Sequence, residues 1–375
     1  MRRVKLGQIC EVVSGGTPKT NVEEYWNGEF NWITPAEIND NDYIISDTKR
    51  KITQLAIEKK KLPLLPKGTV LLSSRAPIGK VAITGKEMYC NQGFKNLICS
   101  DEICNEYLYW YLKSKKEYLN SLGRGATFKE ISKKIVENIE IKLPEIERQR
   151  KIVDKLKKVD KIIQRRKNQS RLLDVVVQAR FVEMFGDPII NNMSWPESTI
   201  GDGCFVTKLA GFEYSKYIEY DDTGDVVMVK AQNVKNGTLN RKDLSFISNE
   251  VSDALPRSQL LPGDVVMTYV GANIGDVALI DDKYKYHLAP NVAKIRVDAK
   301  IYNSVYFMYM LMFLNSYIVK NSADTAKAAL GMERIRKLKV FIPTYDLQNQ
   351  FAAFVQQVNK SKFVIHKFLY CTTHN

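Results

Sequence analysis

The 375 residues are enough for two or three domains, each able to bury its own core. Hydrophobic residues at 45% and charged residues at 26% are ordinary for folded protein, and they exclude a disordered, collagen-like or purely coiled-coil chain. The formal net charge of +14 favours a polyanionic partner such as nucleic acid.

Signals for export, membrane insertion and zinc binding are weak. Residues 1–13 lack the apolar stretch of a secretory signal. The longest apolar run, residues 305–319, is too short to span a bilayer and indicates a buried helix. The six cysteines include no Cys-x-x-Cys pair and only three histidines occur, so we expect no recognisable zinc site, no membrane contact and reduced thiols in a cytoplasmic protein.

The first half of the chain predicts a mixed domain followed by a long helix. Short β-branched and aromatic runs bounded by Gly, Pro and Asn, such as 69–73 and 80–84, predict strands, and residues 105–119 predict an aromatic helix. This domain covers residues 1–143. Pro144 stands where a proline precedes a helix, and the pattern predicts a helix over 145–185 inside a spacer of residues 144–187.

The second half has the same layout. Strands are predicted at 226–229 and 265–269 and an aromatic helix at 305–319, within a domain of residues 188–342. Pro343 then precedes a helix over 346–370, within a final segment of residues 343–375 that looks shortened. The fold class is therefore α+β, with two similar mixed domains separated by long helices.

Sliding the sequence against itself shows why the layouts agree. Segments that match in order, at offsets growing from 196 to 199 residues, are 65–70 with 261–266, 78–83 with 274–279, 91–94 with 289–292, 107–112 with 306–311, and 143–152 with 342–351. Five matches in order indicate an internal duplication.

The long helices carry apolar residues at steps of three and four, which predicts a seam for a partner helix. We expect the two helices to pair as an antiparallel coiled coil that relates the halves by a pseudo-two-fold axis. The predicted pairing residues are Ile152, Leu156, Val159, Ile163, Leu173, Phe351, Phe354 and Val358. Because the second helix looks short, we expect Val177, Phe181, Met184 and Phe185 to lack cover within the chain and to favour a partner or self-association.

Such a molecule presents two readers to a DNA duplex, which has the same local dyad, and the helices set the distance between two half-sites. Residues 145–180 contain 12 basic and 5 acidic side chains. This excess is typical of a solvated helix surface, and the alternative is a helix that follows a phosphate backbone.

Several motifs occur in a fixed order and are echoed in the second half: Val13-Ser14-Gly15-Gly16-Thr17-Pro18, Asn31-Trp32-Ile33-Thr34-Pro35, Arg75-Ala76-Pro77-Ile78-Gly79-Lys80-Val81-Ala82, Asn91-Gln92-Gly93, and Leu143-Pro144 followed by Gln149 and Ile152. In these motifs and their order, the sequence resembles the specificity subunit of type I restriction–modification systems over nearly its whole length. The second half departs from it, with residues 208–214 in place of Ser-Gly-Gly-Thr-Pro and Ala289-Pro290-Asn291 in place of Asn-Gln-Gly.

The resemblance implies two target-recognition domains that each read part of a bipartite double-stranded DNA site. It also implies helices that dock two methyltransferase subunits and, in a larger complex, ATP-dependent restriction subunits. We expect no cofactor in this chain, with S-adenosylmethionine and ATP on the partner subunits.

Base reading needs donors and acceptors on loops, and phosphate contacts need Lys, Arg, Ser, Thr or backbone N–H groups. In the first half Arg75 suits a bidentate contact to guanine, and the alternative is a local salt bridge. In the second half Asn273 suits adenine or a phosphate, and the alternative is a turn-forming Asn. The predicted DNA contacts are Thr17, Lys19, Ser74, Arg75, Lys80, Gln92, Arg124, Thr127, Lys129, Lys230, Gln232, Asn233, Tyr269, Asn273 and Lys327.

Catalytic signatures are weak. The sequence has no GxGxxG, no GxxxxGK[ST] and no acidic-or-amide-Pro-Pro-aromatic motif of an adenine methyltransferase. The prediction is therefore a non-catalytic, DNA-reading subunit. The alternatives are a stand-alone enzyme that modifies or cuts DNA with degenerate motifs, and a protein scaffold that no longer reads DNA.

Overall fold

A computed structural model describes residues 2–75, 77–125, 129–322 and 329–374, without the side chains of residues 321, 322 and 370–374. It divides into two compact units, Met1–Gln164 (unit 1) and Arg165–Asn375 (unit 2). The division falls inside the long helix, which the sequence assigned to a separate spacer.

Unit 1 is built on a five-stranded sheet. Its strands are β1 (Arg2–Lys5), β2 (Cys10–Ser14), β3 (Trp26–Ile33), β4 (Ile44–Ile45), β5 (Lys51–Ile52), β6 (Val70–Leu72), β7 (Val81–Thr84), β8 (Tyr89–Cys90), β9 (Lys95–Cys99) and β10 (Glu140–Leu143). Its helices are α1 (Leu6–Ile9), α2 (Gln54–Lys60), α3 (Asn105–Ser114), α4 (Lys116–Ser121), α5 (Lys133–Glu137) and the start of α6 (Ile146–Phe185). The sheets have the orders β2-β9-β6-β7-β4, β5-β3-β8 and β1-β10.

Unit 2 repeats this plan with two four-stranded sheets. Its strands are β11 (Glu197–Thr199), β12 (Cys204–Lys208), β13 (Val226–Val229), β14 (Val234–Lys235), β15 (Thr238–Leu239), β16 (Phe246–Ile247), β17 (Gln259–Leu260), β18 (Val265–Thr268), β19 (Val277–Leu279), β20 (Lys285–Leu288), β21 (Val292–Val297) and β22 (Lys339–Phe341). Its further helices are α7 (Ile200–Gly203), α8 (Gly211–Tyr217), α9 (Asn249–Ala254), α10 (Ser304–Ser322), α11 (Met332–Arg336) and α12 (Tyr345–His374). The sheets have the orders β12-β21-β18-β19, β16-β13-β20-β17, β14-β15 and β11-β22.

Burial explains why these runs are strands and helices. All three residues of β6 and all four residues of β13 and β18 are buried, as expected for β-branched and apolar runs inside a core. The aromatic residues of α3 and α10 also serve the cores: Tyr109 and Tyr306 are at most 1% exposed. The predicted α+β class, with two similar mixed domains and long helices, is confirmed.

A buried glutamine shows the duplication most clearly. In unit 1 the Gln149 side chain accepts from the Cys104 N–H (2.8 Å) and donates to the Glu102 and Pro144 carbonyls (both 2.9 Å). In unit 2 the Gln348 side chain accepts from the Asn303 N–H (2.8 Å) and donates to the carbonyls of Ile301 and Pro343 (3.0 and 2.9 Å). Each side chain therefore joins the start of its long helix to the start of the aromatic helix beside it.

In one segment, the sequence alignment of the two halves is shifted by one residue relative to the structure. In the alignment of the two halves Gly68 falls opposite Asp264, but in the structure Gly68 corresponds to Gly263. Both glycines have a positive φ, 89° and 91°, in the same turn. Gly68 donates to the carbonyl of Thr84, and Gly263 donates to that of Ile280. The alignment followed the Leu-Pro dipeptide that both halves contain. In the structure, however, the two prolines occupy turn positions that differ by one residue.

The long helices lie where the sequence predicted them, but the uncovered end of α6 was predicted wrongly. Val177, Phe181 and Phe185 are at most 1% exposed and belong to the core of unit 2, with Met184 packed against them. The Phe181 ring stacks on Phe313 with 4.6 Å between ring centroids. The end of α6 is thus a core helix of unit 2, and these residues are not an exposed surface for self-association.

Within unit 2, α6 and α12 run antiparallel. Ser170 contacts His366 at 3.1 Å, Asp174 pairs with Lys362, and the Phe185 ring lies 5.6 Å from that of Phe351. Of the predicted pairing residues in this unit, Phe351 and Val358 are buried and Leu173 and Phe354 are partly buried.

The predicted pairing residues of unit 1 are covered less. Ile152 and Ile163 are partly buried, while Leu156 and Val159 are 36% and 45% exposed. The matching residues of unit 2, Val355 and Val358, are only 3% and 7% exposed. The difference arises because the core of unit 2 contains segments of two long helices, whereas unit 1 contains a segment of one.

Candidate nucleic-acid interface

Two of the motifs that carry the resemblance meet in unit 1. The Gly16 N–H donates to the Cys90 carbonyl at 2.9 Å, and the Thr17 hydroxyl donates to the side-chain carbonyl of Gln92. A Cβ at Gly15 would lie 2.2 Å from the Asn91 carbonyl oxygen, so only glycine allows this approach. Thr17 and Gln92, predicted separately as DNA contacts, are therefore neighbours.

Two tryptophans hold the loop that follows Gly16. The Trp32 indole N–H donates to the Gly16 carbonyl (3.0 Å), and the Trp26 indole N–H donates to the Lys19 carbonyl (3.2 Å). The Arg50 guanidinium carbon lies 3.9 Å from the Trp26 ring centroid, a cation–π contact. Sequence reasoning missed Trp26 and Arg50. Their bonds leave the exposed Lys19 side chain on a loop whose backbone is fixed.

A second junction forms at the end of β6. Ser74 donates its N–H to the Gly93 carbonyl (2.7 Å), and its own carbonyl accepts from the Ile131 N–H (2.9 Å). Arg124 and Glu130 exchange two backbone hydrogen bonds, at 3.0 and 2.9 Å. The predicted cations Arg75, Arg124 and Lys129 are thus exposed on one set of bonded loops.

One carboxylate sits among these cations. Glu130 accepts from Arg75 Nε at 2.9 Å and from Lys95 Nζ at 3.2 Å. Partial burial of Glu130 raises its pKa, but the hydrogen bonds and charges of Arg75 and Lys95 outweigh burial and hold the pKa below its usual value. Glu130 is therefore ionised at neutral pH. Neither Glu130 nor Lys95 was predicted, because they are distant in sequence from Arg75.

Two other predicted DNA contacts of unit 1 have side chains that are buried or hydrogen-bonded within the protein. Ser74 is fully buried, and Lys80 Nζ donates to the Pro35 carbonyl at 3.0 Å. A role for these two side chains at a DNA surface has less support than one for Lys19 or Arg75. Thr127 lies outside the described residues.

Unit 2 builds its matching junction from different side chains. Tyr269 donates its N–H to the Asn291 carbonyl (3.0 Å), and its own carbonyl accepts from the Leu330 N–H (2.8 Å). Lys208 Nζ lies 5.5 Å from the Tyr269 ring centroid. Burial raises the pKa of the Tyr269 phenol, which therefore stays protonated.

Helix α8 stands where unit 1 has its glycine loop, and Phe212 on it is 71% exposed. Its exposure was not predicted.

The remaining predicted residues of unit 2 lie in two turns. Asn233 is 2% exposed and donates to the carbonyls of Asn240 and Lys242, so its side chain serves its own loop. Lys230 Nζ donates to the Ser245 hydroxyl at 2.9 Å, and Gln232 is exposed beside them. Asn273 is partly buried in the turn after Tyr269. Lys327 lies outside the described residues.

These loops offer chemistry for a polyanion. Exposed Lys and Arg side chains suit phosphates, and Arg, Gln and Asn side chains suit base edges. Within the described part of the chain, no group of three or more His, Cys, Asp or Glu side chains is placed to hold a metal ion, and no helix is long and apolar enough to cross a membrane.

Comparisons with known proteins agree with this arrangement. The family model described as the type I restriction modification DNA specificity domain matches residues 1–170 and 192–369. The MjaIX type I restriction enzyme specificity subunit of Methanocaldococcus jannaschii is 30% identical over 94% of this chain and 85% of its own.

Two solved structures share the fold. A chain from a structural study of the assembly and conformational transition of the type I R-M system is 18% identical, with a TM-score of 0.60 over 99% of this chain and 93% of its own. The S subunit of a type I restriction-modification system from M. genitalium is 15% identical, with a TM-score of 0.54 over 99% of this chain and 92% of its own.

Proposed function

Because the chain belongs to the type I restriction–modification DNA specificity family, we propose that it is the DNA-reading subunit of a type I restriction–modification complex. Each unit reads one half of a bipartite double-stranded site. The observation that supports this most directly is the pair of matching junctions, at Ser74 and Tyr269, which share their backbone bonds and differ in their side chains. A common frame with different side chains is what two different half-sites require.

We place the docking of methyltransferase subunits, two per chain, on the long helix α6. Its support is a set of exposed apolar side chains that recurs along the whole length of this helix. The exposed fractions run from 36% to 48% at Leu156, Val159, Ile162, Leu172, Val175, Val176 and Val182.

We place the chemistry on the partners, with S-adenosylmethionine on the methyltransferase subunits and ATP on restriction subunits. The support is the family itself, whose members are named as specificity subunits. The loops described above bind and orient DNA, and the reaction of the complex needs no reactive group from them.

Mapping of methylated adenines in the genome, with and without this gene, tests the proposal. We expect the strain that carries the gene to show methylation at one two-part, asymmetric motif, and we expect that motif to be unmethylated in the deletion strain. Reintroducing the gene should restore methylation at that motif.

Purified components separate the alternatives. If the chain alone methylates or cuts DNA, it is a stand-alone enzyme. If the complex binds all duplexes equally, with an affinity that depends only on salt, the chain is a scaffold with backbone contacts alone. Either result contradicts the proposal.

A further inference from the structure

Three charged side chains form a linked group in unit 1. Arg75 Nε donates to one carboxylate oxygen of Glu130 at 2.9 Å, and Lys95 Nζ donates to the other at 3.2 Å. The exposed fractions of the side chains are 47% for Arg75, 33% for Glu130 and 10% for Lys95. The group therefore runs from the surface into the interior, with its anion in the middle.

The matching frame of unit 2 forms without these charges. In unit 1 an antiparallel bridge joins Arg75 to Glu130, and in unit 2 the matching bridge joins Val270 to Ala329. The counterpart of Lys95, judged from the pairing of β9 and β21 with β6 and β18, is Ala293. The same frame thus forms in unit 2 with three small or apolar side chains.

Ionic groups of this kind cost free energy to bury, and apolar replacements of similar shape are often neutral or stabilising. Unit 1 nevertheless places Lys95 in the interior, where only a paired charge is tolerated. Because unit 2 builds the frame without the group, the group serves a purpose other than folding.

Resting on the proposed function, we propose that Glu130 is a positioning residue that fixes Arg75 for reading a guanine, and that Lys95 holds Glu130 in place. The bond from Nε fixes the plane of the guanidinium. Among the described residues no hydrogen bond engages either terminal nitrogen of Arg75, so both remain for the O6 and N7 acceptors of guanine. Lys95 balances the charge of Glu130, which would otherwise repel phosphates.

The test uses the full complex of this chain with its methyltransferase subunits. Binding is measured to the duplex found by methylation mapping and to duplexes with each base pair of the unit 1 half-site replaced. We expect Arg75→Ala to abolish discrimination at one G·C pair, and Glu130→Gln to lower discrimination at the same pair by roughly tenfold. The double variant should discriminate no worse than Arg75→Ala, because Glu130 acts through Arg75.

Two further variants keep the result interpretable. Glu102→Gln removes the carboxylate of another arginine pair of unit 1, with Arg2, and should leave discrimination unchanged. A triple variant with the unit 2 residues, Arg75→Val, Lys95→Ala and Glu130→Ala, should fold with an unchanged thermal transition and read no base at that position.

The inference is overturned if Glu130→Gln matches the control, if it weakens binding to all duplexes alike, or if its effect adds to that of Arg75→Ala. It is also overturned if the triple variant fails to fold, because the charges would then be structural. These outcomes differ from failure of the proposed function, in which the wild-type complex itself prefers no sequence.

Discussion

At the end of β6, the backbone frame around Ser74 carries Arg75, Glu130 and Lys95, while in unit 2 the same frame around Tyr269 carries Val270 and Ala329. At the start of the long helices the opposite holds, since Gln149 and Gln348 make the same three bonds to matching partners. What the two units share therefore holds each frame together. At the two junctions, the side chains that differ include Arg75 and Glu130 on loops that a ligand can reach, and the buried Lys95 on β9 behind them.

The long helices add a second contrast. Val355 and Val358 of unit 2 are buried, and their counterparts Leu156 and Val159 are exposed. The two units thus use matching apolar positions in two ways, one for a core and one for a surface. Mutations at matched positions can break or sharpen each contrast.

The largest effect is expected where α6 completes the core of unit 2. Phe181→Ala should destabilise unit 2 by about 4 kcal/mol, because the ring is fully buried among other aromatic rings. Denaturant unfolding of the full chain, with hydrogen exchange to locate the change, measures this. The neighbouring Val182→Ala, at a site 45% exposed, should cost less than about 0.5 kcal/mol. Equal costs for the two variants would mean that α6 does not belong to this core.

The buried glutamines should come next. Gln149→Leu leaves one N–H and two carbonyl groups without their partner, so we expect a loss of about 3 kcal/mol that is confined to unit 1. Gln348→Leu should cause a loss of the same size confined to unit 2. Hydrogen exchange of each unit in both variants measures the split, with exposed Gln169→Leu as the control. A loss spread evenly over both units would contradict independent frames.

The matched valine and leucine test the second contrast. Val355→Ala should cost about 2 kcal/mol of unfolding free energy, because a buried side chain loses its contacts. Leu156→Ala should cost less than about 1 kcal/mol but weaken assembly with the methyltransferase subunits, since its exposed side chain is one of those proposed for docking. Calorimetry and titration of the partner subunit separate the two effects. Docking that is unaffected by Leu156→Ala, and by Val176→Asp on the same helix, would remove α6 as the docking element.

Much of this organisation could be predicted from sequence. Periodic apolar residues and the prolines at 144 and 343 predicted both long helices within a few residues, because those signals are local. The repeat predicted two similar domains. Landmarks that carry structure, such as Gln149 and Gln348, were recognised as matches although their bonds were not.

What could not be predicted depends on contacts between distant segments. Lys95 and Glu130 are 35 positions apart and meet only through the sheet. The burial of Phe181 depends on α10, far along the chain. The one-residue error in the repeat arose because a Leu-Pro dipeptide matches in sequence, whereas the positive φ of Gly68 and Gly263 sets the register.

The smallest expected effect is a dependence of stability on pH that is present in unit 2 and absent from unit 1. His287 is fully buried in unit 2, and unit 1 contains no histidine. Burial lowers the pKa of His287, although hydrogen bonds to the carbonyls of Leu288 and Leu255 oppose it. Below pH about 6.5, the pKa of a histidine in an unfolded chain, His287 is protonated in the unfolded chain and stays neutral in the folded chain. Stability of unit 2 should therefore fall by up to about 1 kcal/mol as pH drops from 7 towards 5.5.

Hydrogen exchange at both pH values measures this, with unit 1 as the internal reference for the intrinsic rate. In His287→Gln the pH-dependent difference between the units should disappear, because glutamine does not titrate. A difference that persists in His287→Gln would assign the acid sensitivity to other groups. A difference absent from the wild type would mean that His287 is protonated equally in the folded and unfolded chains, so that its two carbonyl partners fully offset the cost of burial.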